Sequence, residues 1–450
     1  MAEAKDLDDS LDFLRYFEKY TEARDLITIV QNKLEKKTGT LELRLETLNE
    51  DDCKVLADLE PLAKVTCLDL TETGVSTAGL VHLAGSKHLK NLNQLLLGNN
   101  NIDDDGCFYL SKVSTFSNLV ELNLSANEIG PLGAKLLSAS ETLTQLETLD
   151  LSYNRIQSAG IQALAESSLG GRLKRLTLTD TGMGDDGLDQ FGRKASMRQL
   201  ESLDLSDNQL TDRSVGPLAR SEGFPSLRRL VLDNNHLGDD GIYELAEGTL
   251  GARLEELCLR CNGLTTDSAI SIAKSKSLTQ LRQLDLNNND VRAEGTQALA
   301  QSANIQYMEK LDLGENRLNA EGARALAESP HLGNLRELRL NNDNIADEGV
   351  TALAQSDKLP SLEALYLEQD NWIRAAGARA IAESDHFSKL KTLVLGLNVI
   401  GDEGARYLAE SEKLSSLVFL NVIGNKLSSA GEDALRFSSQ LNSLKTLELV

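Results

Sequence analysis

The chain has 450 residues, with 69 acidic against 46 basic side chains, a net charge of −23 and only 4 % aromatic residues. Such a surface repels phosphate backbones and anionic lipid, which argues against nucleic acid and membrane partners and for a protein partner with a basic surface. No apolar run approaches the roughly 20 residues that cross a bilayer. Residues 1–10 carry no apolar signal core, and the five cysteines have no framework spacing. Reducing surroundings are therefore expected: the cytoplasm of the producing cell, or of a cell into which the chain is delivered.

In chain order, residues 1–37 come first and stand apart from the rest of the chain. Leu7, Leu11, Leu14 and Phe17 fall on one helical face, and Leu26, Ile29, Val30 and Leu34 can form another. This spacing predicts a helical cap. From residue 38 to 450 a 27-residue cycle takes over: Leu-x-x-Leu-x-Leu-x-x-Asn-x-Ile, a turn, then Gly-Ala-x-x-Leu-Ala-x-Ser. Its first apolar position recurs at Leu92, Leu119, Leu146, Leu173, Leu200, Leu227, Leu254, Leu281, Met308, Leu335 and Leu362, with Val65 and Thr38 in the same frame. One extra residue after Leu367 moves the next starts to Leu390, Leu417 and Leu444, giving about sixteen turns. A sequence this periodic describes a stack of identical units in which each packs only on its neighbours.

Within one turn, Leu335, Leu338 and Leu340 alternate as a short strand with its apolar side inward. The ninth position is Asn in eleven of the fourteen full turns from Val65 onward, and Thr73, Thr181 and Asp343 replace it in the others. There the chain leaves the sheet, and a buried amide supplies the donors and acceptor that the backbone has lost. A helix comes next. Asp347 is its expected N-cap, as are Asp104, Asp185, Asp212, Asp239 and Asp402, with Ser158 and Ser429 in the same slot. Gly349, two residues later, recurs in twelve of the fourteen turns. Gly in a helix costs about 1 kcal/mol against Ala, so its recurrence predicts a close approach of adjacent helices or of helix and sheet.

This cycle resembles the leucine-rich-repeat family and, within it, the ribonuclease-inhibitor-like class with bacterial-type tandem turns. The resemblance implies an α/β fold: a right-handed solenoid, or horseshoe, with a concave parallel β-sheet and convex α-helices. It also implies protein–protein recognition on the sheet, as in a secreted bacterial effector or an intracellular regulator. The alternative is a GTPase-activating or other catalysis-assisting protein. That role would need a loop residue that completes another protein's site, and only the stretch from Gln369 to Trp372 departs from uniform loop length.

The outward residue between the second and third leucines includes Asp150, Asp204, Asp285, Asp312 and Arg339, so the middle of the sheet is predicted to be acidic and polar. Toward the C-terminus the outward positions become apolar: Tyr366, Val394, Leu397, Phe419 and Ile423, with Trp372, the single tryptophan, beside the extra residue. Exposed apolar clusters with aromatic anchors mark contact surfaces. These eleven residues are the candidate partner-binding set. Leu444, Leu447 and Leu449 begin one more strand, whose edge could pair a second copy into a homodimer.

Catalytic chemistry is not suggested. Cys258 and Cys261 have zinc-like spacing without a second pair and fall at different strand positions. The histidines are dispersed over different turns. Asp103 to Gly106 lacks the rest of a calcium loop and fits a helix cap. No catalytic residue, cofactor or metal is expected.

Overall fold

The computed structural model describes residues 24–37 and 39–449, so Leu7, Leu11, Leu14, Phe17 and Thr38 lie outside the described residues. The chain divides into two compact units, Met1–Asp204 and Leu205–Val450.

Among the described residues, the first unit starts with the helix Arg24–Lys36, which packs on the strand Thr40–Glu42. Its buried side chains are Leu26, Ile27 and Val30, whereas Ile29 is half-exposed. The inward face thus includes Ile27 in place of the expected Ile29, which turns the helix slightly about its axis. Seven strands of three residues follow, from Thr40–Glu42 to Ser202–Asp204, paired in parallel and in sequence order. The middle residues Leu41, Leu68, Leu95, Leu122, Leu149, Leu176 and Leu203 stand opposite one another and are buried. The second unit repeats the scheme with nine strands, from Arg229–Val231 to Thr446–Glu448. Its register advances by 27 residues per strand except between Leu365 and Leu393, where the extra residue falls.

The ninth-position amides act as the cycle predicts. Asn316 is fully buried. Its Nδ2 donates to the carbonyls of Leu286, Leu313 and Gly314 at 2.8, 2.9 and 3.0 Å. Its Oδ1 accepts from the Val291 N–H at 3.1 Å. One side chain therefore ties two successive turns together and leaves no buried backbone group unpaired there.

Helix capping differs from the expectation, and the difference is systematic. Each of these helices begins at or one residue before the aspartate or serine expected to cap it. The residues just outside the helices are Asp103, Ile156, Met183, Thr211, Leu237, Ile345, Ile400 and Ser428. Four of the aspartates reach instead to the helix of the next turn. Asp104 accepts from Gly130 and Gly133 N–H at 2.7 and 2.8 Å, and Asp347 from Arg374 and Gly377 N–H at 2.8 and 2.9 Å. Asp239 does the same with Thr265 and Ser268, and Asp402 with Ser428. The carboxylate sits in the first turn of its own helix while capping its neighbour, so two helix N-termini share one negative charge.

The opposite helix end is closed in the other direction. Ser329 Oγ donates to the Ala300 carbonyl and Ser275 Oγ to that of Ala246, both at 2.6 Å, so the serine of one turn caps the helix C-terminus of the turn before. The recurrent glycine permits the spacing. A Cβ on Gly349 would stand 2.9 Å from Ala323 Cβ and 3.3 Å from Ala320 Cα of the preceding helix, so the close approach is helix to helix.

Candidate protein-recognition face

The second unit places four of the candidate residues side by side. Asp285, Asp312, Arg339 and Tyr366 end consecutive strands and are in register, Asp285 with Asp312, Asp312 with Arg339 and Arg339 with Tyr366. The Arg339 guanidinium lies 3.8 Å from the centre of the Tyr366 ring, and its Nε donates to Glu337 at 2.7 Å. This stack fixes a planar, amphipathic platform on the sheet.

The two aspartates beside it are not ordinary surface carboxylates. Burial pushes Asp285 up to about 7, and the Asp312 charge adds to the rise against the Asn287 N–H and Arg260. Burial raises Asp312 too, opposed by the Gly314 N–H and by Arg339. Two partly desolvated carboxyls on adjacent strands are a place where an incoming cation is favoured.

The apolar group beyond Tyr366 is arranged differently from the expectation. Val394 is only 4 % exposed. It stands in register between the larger Tyr366 and Asn421 and diagonal to Phe419, which cover it. Val231 and Cys258, at the same strand position, are buried to the same degree, so the apolar side chain lies low between its neighbours on the sheet. Phe419 and Ile423 are half-exposed. Leu397 and Trp372 are each 53 % exposed, but neither lies on a strand. They stand in the turn that leaves the sheet, in left-handed backbone with φ of 56° and 55°.

That backbone state recurs along the chain. The residue before each ninth position is left-handed, from Glu72 and Asn99 to Leu397 and Gly424. Eight of these fourteen residues are Asn, Asp or Gly, the types that tolerate the conformation. The signal was in the sequence, at a position that a strand-centred reading passes over. Leu397, like Leu45 in the first unit, is a branched apolar side chain at this position, where its equivalent two turns earlier is Asn342.

The extra residue forms a bulge. Gln369 and Asp370 are both left-handed, and the Asn342 N–H bonds to the carbonyls of both Glu368 and Gln369 at 3.0 Å. Next to it, Asp343 holds the ninth position. Its Oδ1 accepts from Asn316 and Leu318 N–H at 2.8 and 3.4 Å, while its fully buried Oδ2 has no partner. Burial pushes this carboxyl up to about 8 against those two N–H groups, and the Asp312 charge adds to the rise.

Asp150 and Asp204 belong to the first unit. Asp150 ends the strand Thr148–Asp150 and accepts from Asn123 Nδ2 at 3.1 Å and from the Ser152 N–H at 2.9 Å. Asp204 ends the strand Ser202–Asp204, in register with Thr177. Of the two cysteines with metal-like spacing, Cys258 is buried at a strand end with its thiol pushed up to about 12, and Cys261 stands in the left-handed turn position. Their side chains occupy different places in the turn, which matches the structural reading.

The family model for the Leucine Rich repeat matches residues 117–138, 142–165, 196–219, 225–246, 277–300, 304–327, 331–354 and 388–409. The chain is a leucine-rich-repeat protein. Among solved structures, this leucine-rich-repeat chain is similar to a leucine-rich-repeat protein of Leptospira interrogans, at 21 % identity over 94 % of this chain and 98 % of the other, with a TM-score of 0.46. It is also similar to an internalin of Listeria monocytogenes, at 18 % identity, 87 % and 88 % coverage and a TM-score of 0.42. A third is the yeast complex of Rad7 and Elc1, at 16 % identity, 88 % and 92 % coverage and a TM-score of 0.42. Among curated proteins none matches.

Proposed function

We propose that this leucine-rich-repeat protein is a non-enzymatic scaffold that recognises a protein partner through the sheet face of its second unit. One observation carries the reading. On a scaffold that otherwise repeats itself, consecutive strands present two partly desolvated aspartates and an arginine stacked on a half-exposed tyrosine, followed by half-exposed Phe419 and Ile423. Aromatic and arginine anchors next to desolvated charge are the composition of interface hot spots. Asp285 and Asp312 favour a basic partner, and the net charge of −23 disfavours nucleic acid and anionic membrane. The remaining candidates, Asp150 and Asp204, extend the acidic character into the first unit. The odd set of free cysteines fits a reducing site of action, in the cell that makes the chain or in a host that receives it as an effector. The 27-residue helical turn favours the ribonuclease-inhibitor-like class.

The test compares capture of native partners by the tagged chain and by a Tyr366→Ala/Phe419→Ala variant. The variant should keep its fold and bind more than about 1 kcal/mol more weakly, with wild-type association slowing as salt rises. Equal capture by both would refute the reading. A second reading rests on Leu444, Leu447 and Leu449, which are half-exposed where Leu417, Leu420 and Val422 are buried. This edge would pair with a second copy, and a monomeric mass in light scattering at micromolar concentration would rule it out.

A further inference from the structure

We infer that an alternating row of charges at the entry end of the strands sets which turn stacks on which, by opposing any junction between a turn and its next-but-one neighbour. The row governs assembly of the stack and is independent of the partner that the sheet face takes.

The leucines, amides and glycines of the stack are blind to register. Leu284, Leu311 and Leu338, Asn289 and Asn316, and Gly322 and Gly349 repeat from turn to turn, so each of these turns offers the same core to any other. Repeat proteins are prone to swapping and misassembly for this reason. One position breaks the sameness. The outward residue after the first apolar position of each turn is Glu147, Lys174 and Glu201 in succession, then Arg228, Glu255, Arg282, Glu309, Arg336, Glu363 and Lys391. Its sign changes at every step through ten turns, and valine holds the position on either side, Val120 before and Val418 after. The next residue along the chain has no such order: in the last seven of these turns it is Arg229, Glu256, Gln283, Lys310, Glu337, Ala364 and Thr392. The alternation also survives the extra residue, since Glu363 and Lys391 are 28 positions apart and still pair. It therefore follows the stack and not the residue count.

The backbone sets these residues side by side. The N–H of Arg282 donates to the Glu255 carbonyl, that of Glu309 to Arg282 and that of Lys391 to Glu363, each at 2.7 Å. Side chains close the row. In the first unit Lys174 pairs with Glu147 at 2.8 Å. In the second, Glu255 pairs with both Arg228 and Arg282, and Arg282 reaches Glu309 at 2.6 Å. Glu363 takes both Arg336 at 2.9 Å and Lys391 at 2.6 Å, and these two cations hold its carboxyl below the ordinary range. Exposed pairs of this kind add little stability one by one. Their effect lies in the comparison between junctions. A turn that skips its neighbour sets Glu beside Glu, or Arg beside Arg, at the strand spacing of about 4.8 Å, where like charges repel. The same side chain thus favours the correct junction and opposes the wrong one. Coiled coils choose their partners through flanking charges in the same way.

The test refolds three full-length variants from urea beside the wild type, all with its net charge. One inverts the row, with Arg for every Glu and Glu for every Arg or Lys. One replaces all ten residues with Gln. The third, Lys174→Glu/Arg228→Glu/Glu309→Arg/Glu363→Arg, keeps the ten charges but sorts them into an acidic and a basic block. Size-exclusion chromatography with light scattering reads the fraction recovered as native monomer, and urea unfolding reads equilibrium stability. The inverted row should refold as the wild type does. The glutamine and sorted rows should raise the misassembled fraction about threefold or more. The glutamine row introduces no repulsion into the correct stack, so it decides the matter should the sorted row not fold. Wild-type recovery from the glutamine row, or an inverted row that misassembles as the sorted one does, overturns the inference. So does a loss of equilibrium stability with recovery unchanged.

Discussion

Replacing Asp343 with Asn should stabilise the second unit, and by an amount that depends on pH. Asn316 shows what the position offers, because its amide donates to three backbone carbonyls, one of them in the preceding turn. The equivalent carbonyls for Asp343 are those of Leu313, Leu340 and Asn341, one turn on. A carboxylate has no proton to offer them, and its Oδ2 is buried and unpartnered. The group therefore folds as the neutral acid, with burial raising it to about 8 from an ordinary value near 3.8. A raised folded-state value means that stability is complete below about pH 4 and is lost progressively as pH rises through about 8. At pH 7 the folded state must take up a proton that the unfolded chain has released across about three pH units, at about 1.4 kcal/mol each, or ~4 kcal/mol in all. Asn removes that linkage and restores the amide donors, so the gain should be ~2–4 kcal/mol at pH 7 and small at pH 4. Urea unfolding of both proteins across pH 4 to 8.5 reads the difference directly. Hydrogen exchange at the Asn316 and Leu318 amides, which bond to Asp343 Oδ1, places it in the chain. A stability difference that stays flat with pH, or a variant less stable than wild type at pH 7, would refute the argument.

Two further substitutions probe the contacts between turns. Gly349→Ala should destabilise by ~1–3 kcal/mol in thermal unfolding although alanine is the better helix former. Its Cβ would meet Ala323 Cβ at 2.9 Å, and backbone Cα at 3.3 Å leaves no flexible atom to give way. Asp347→Ala removes the cap from Arg374 and Gly377 N–H, so it should cost ~1–2 kcal/mol, and the lost exchange protection should appear at those amides of the following turn, not at the start of its own helix.

The fold was legible because its determinants repeat. Leu338 and Leu340 set the strand by alternation, Asn316 set the exit from the sheet, and Gly349 announced the helix spacing. What eluded the sequence was the direction of side chains at the joints. Asp347 sits where an N-cap belongs, and one-dimensional spacing cannot distinguish capping its own helix from capping the next. Ser329 bonds a residue 29 positions back, a distance that has meaning only once the turns are stacked. The site was legible in part. Asp285, Asp312, Arg339 and Tyr366 were found by strand alternation, because in-register parallel strands turn every equivalent residue to one side. Val394 obeyed the same alternation yet is buried, as are Val231 and Cys258 at the same strand position, because a short apolar side chain lies low between its neighbours on the sheet. Leu397 was assigned to the sheet although it stands three residues beyond the strand's last residue, Val394, in left-handed backbone that apolar alternation does not reveal.

The distribution of these departures follows from the architecture. In a solenoid each turn gains its stability from its two neighbours, so a local defect costs locally and does not spread through a shared core. Asp343 in place of Asn, a bulge in place of a closed cycle, and Leu397 in place of Asn are three unfavourable choices with less strained versions a few turns away in the same chain. They occupy consecutive turns, and two of the strands of those turns carry the Arg339–Tyr366 platform. Single departures of the same kinds also occur elsewhere: Thr73 and Thr181 replace the ninth-position Asn, and Leu45, with φ of 67°, takes the same left-handed place as Leu397. Three of them on consecutive turns beside the Arg339–Tyr366 stack show how such a scaffold absorbs strain one turn at a time.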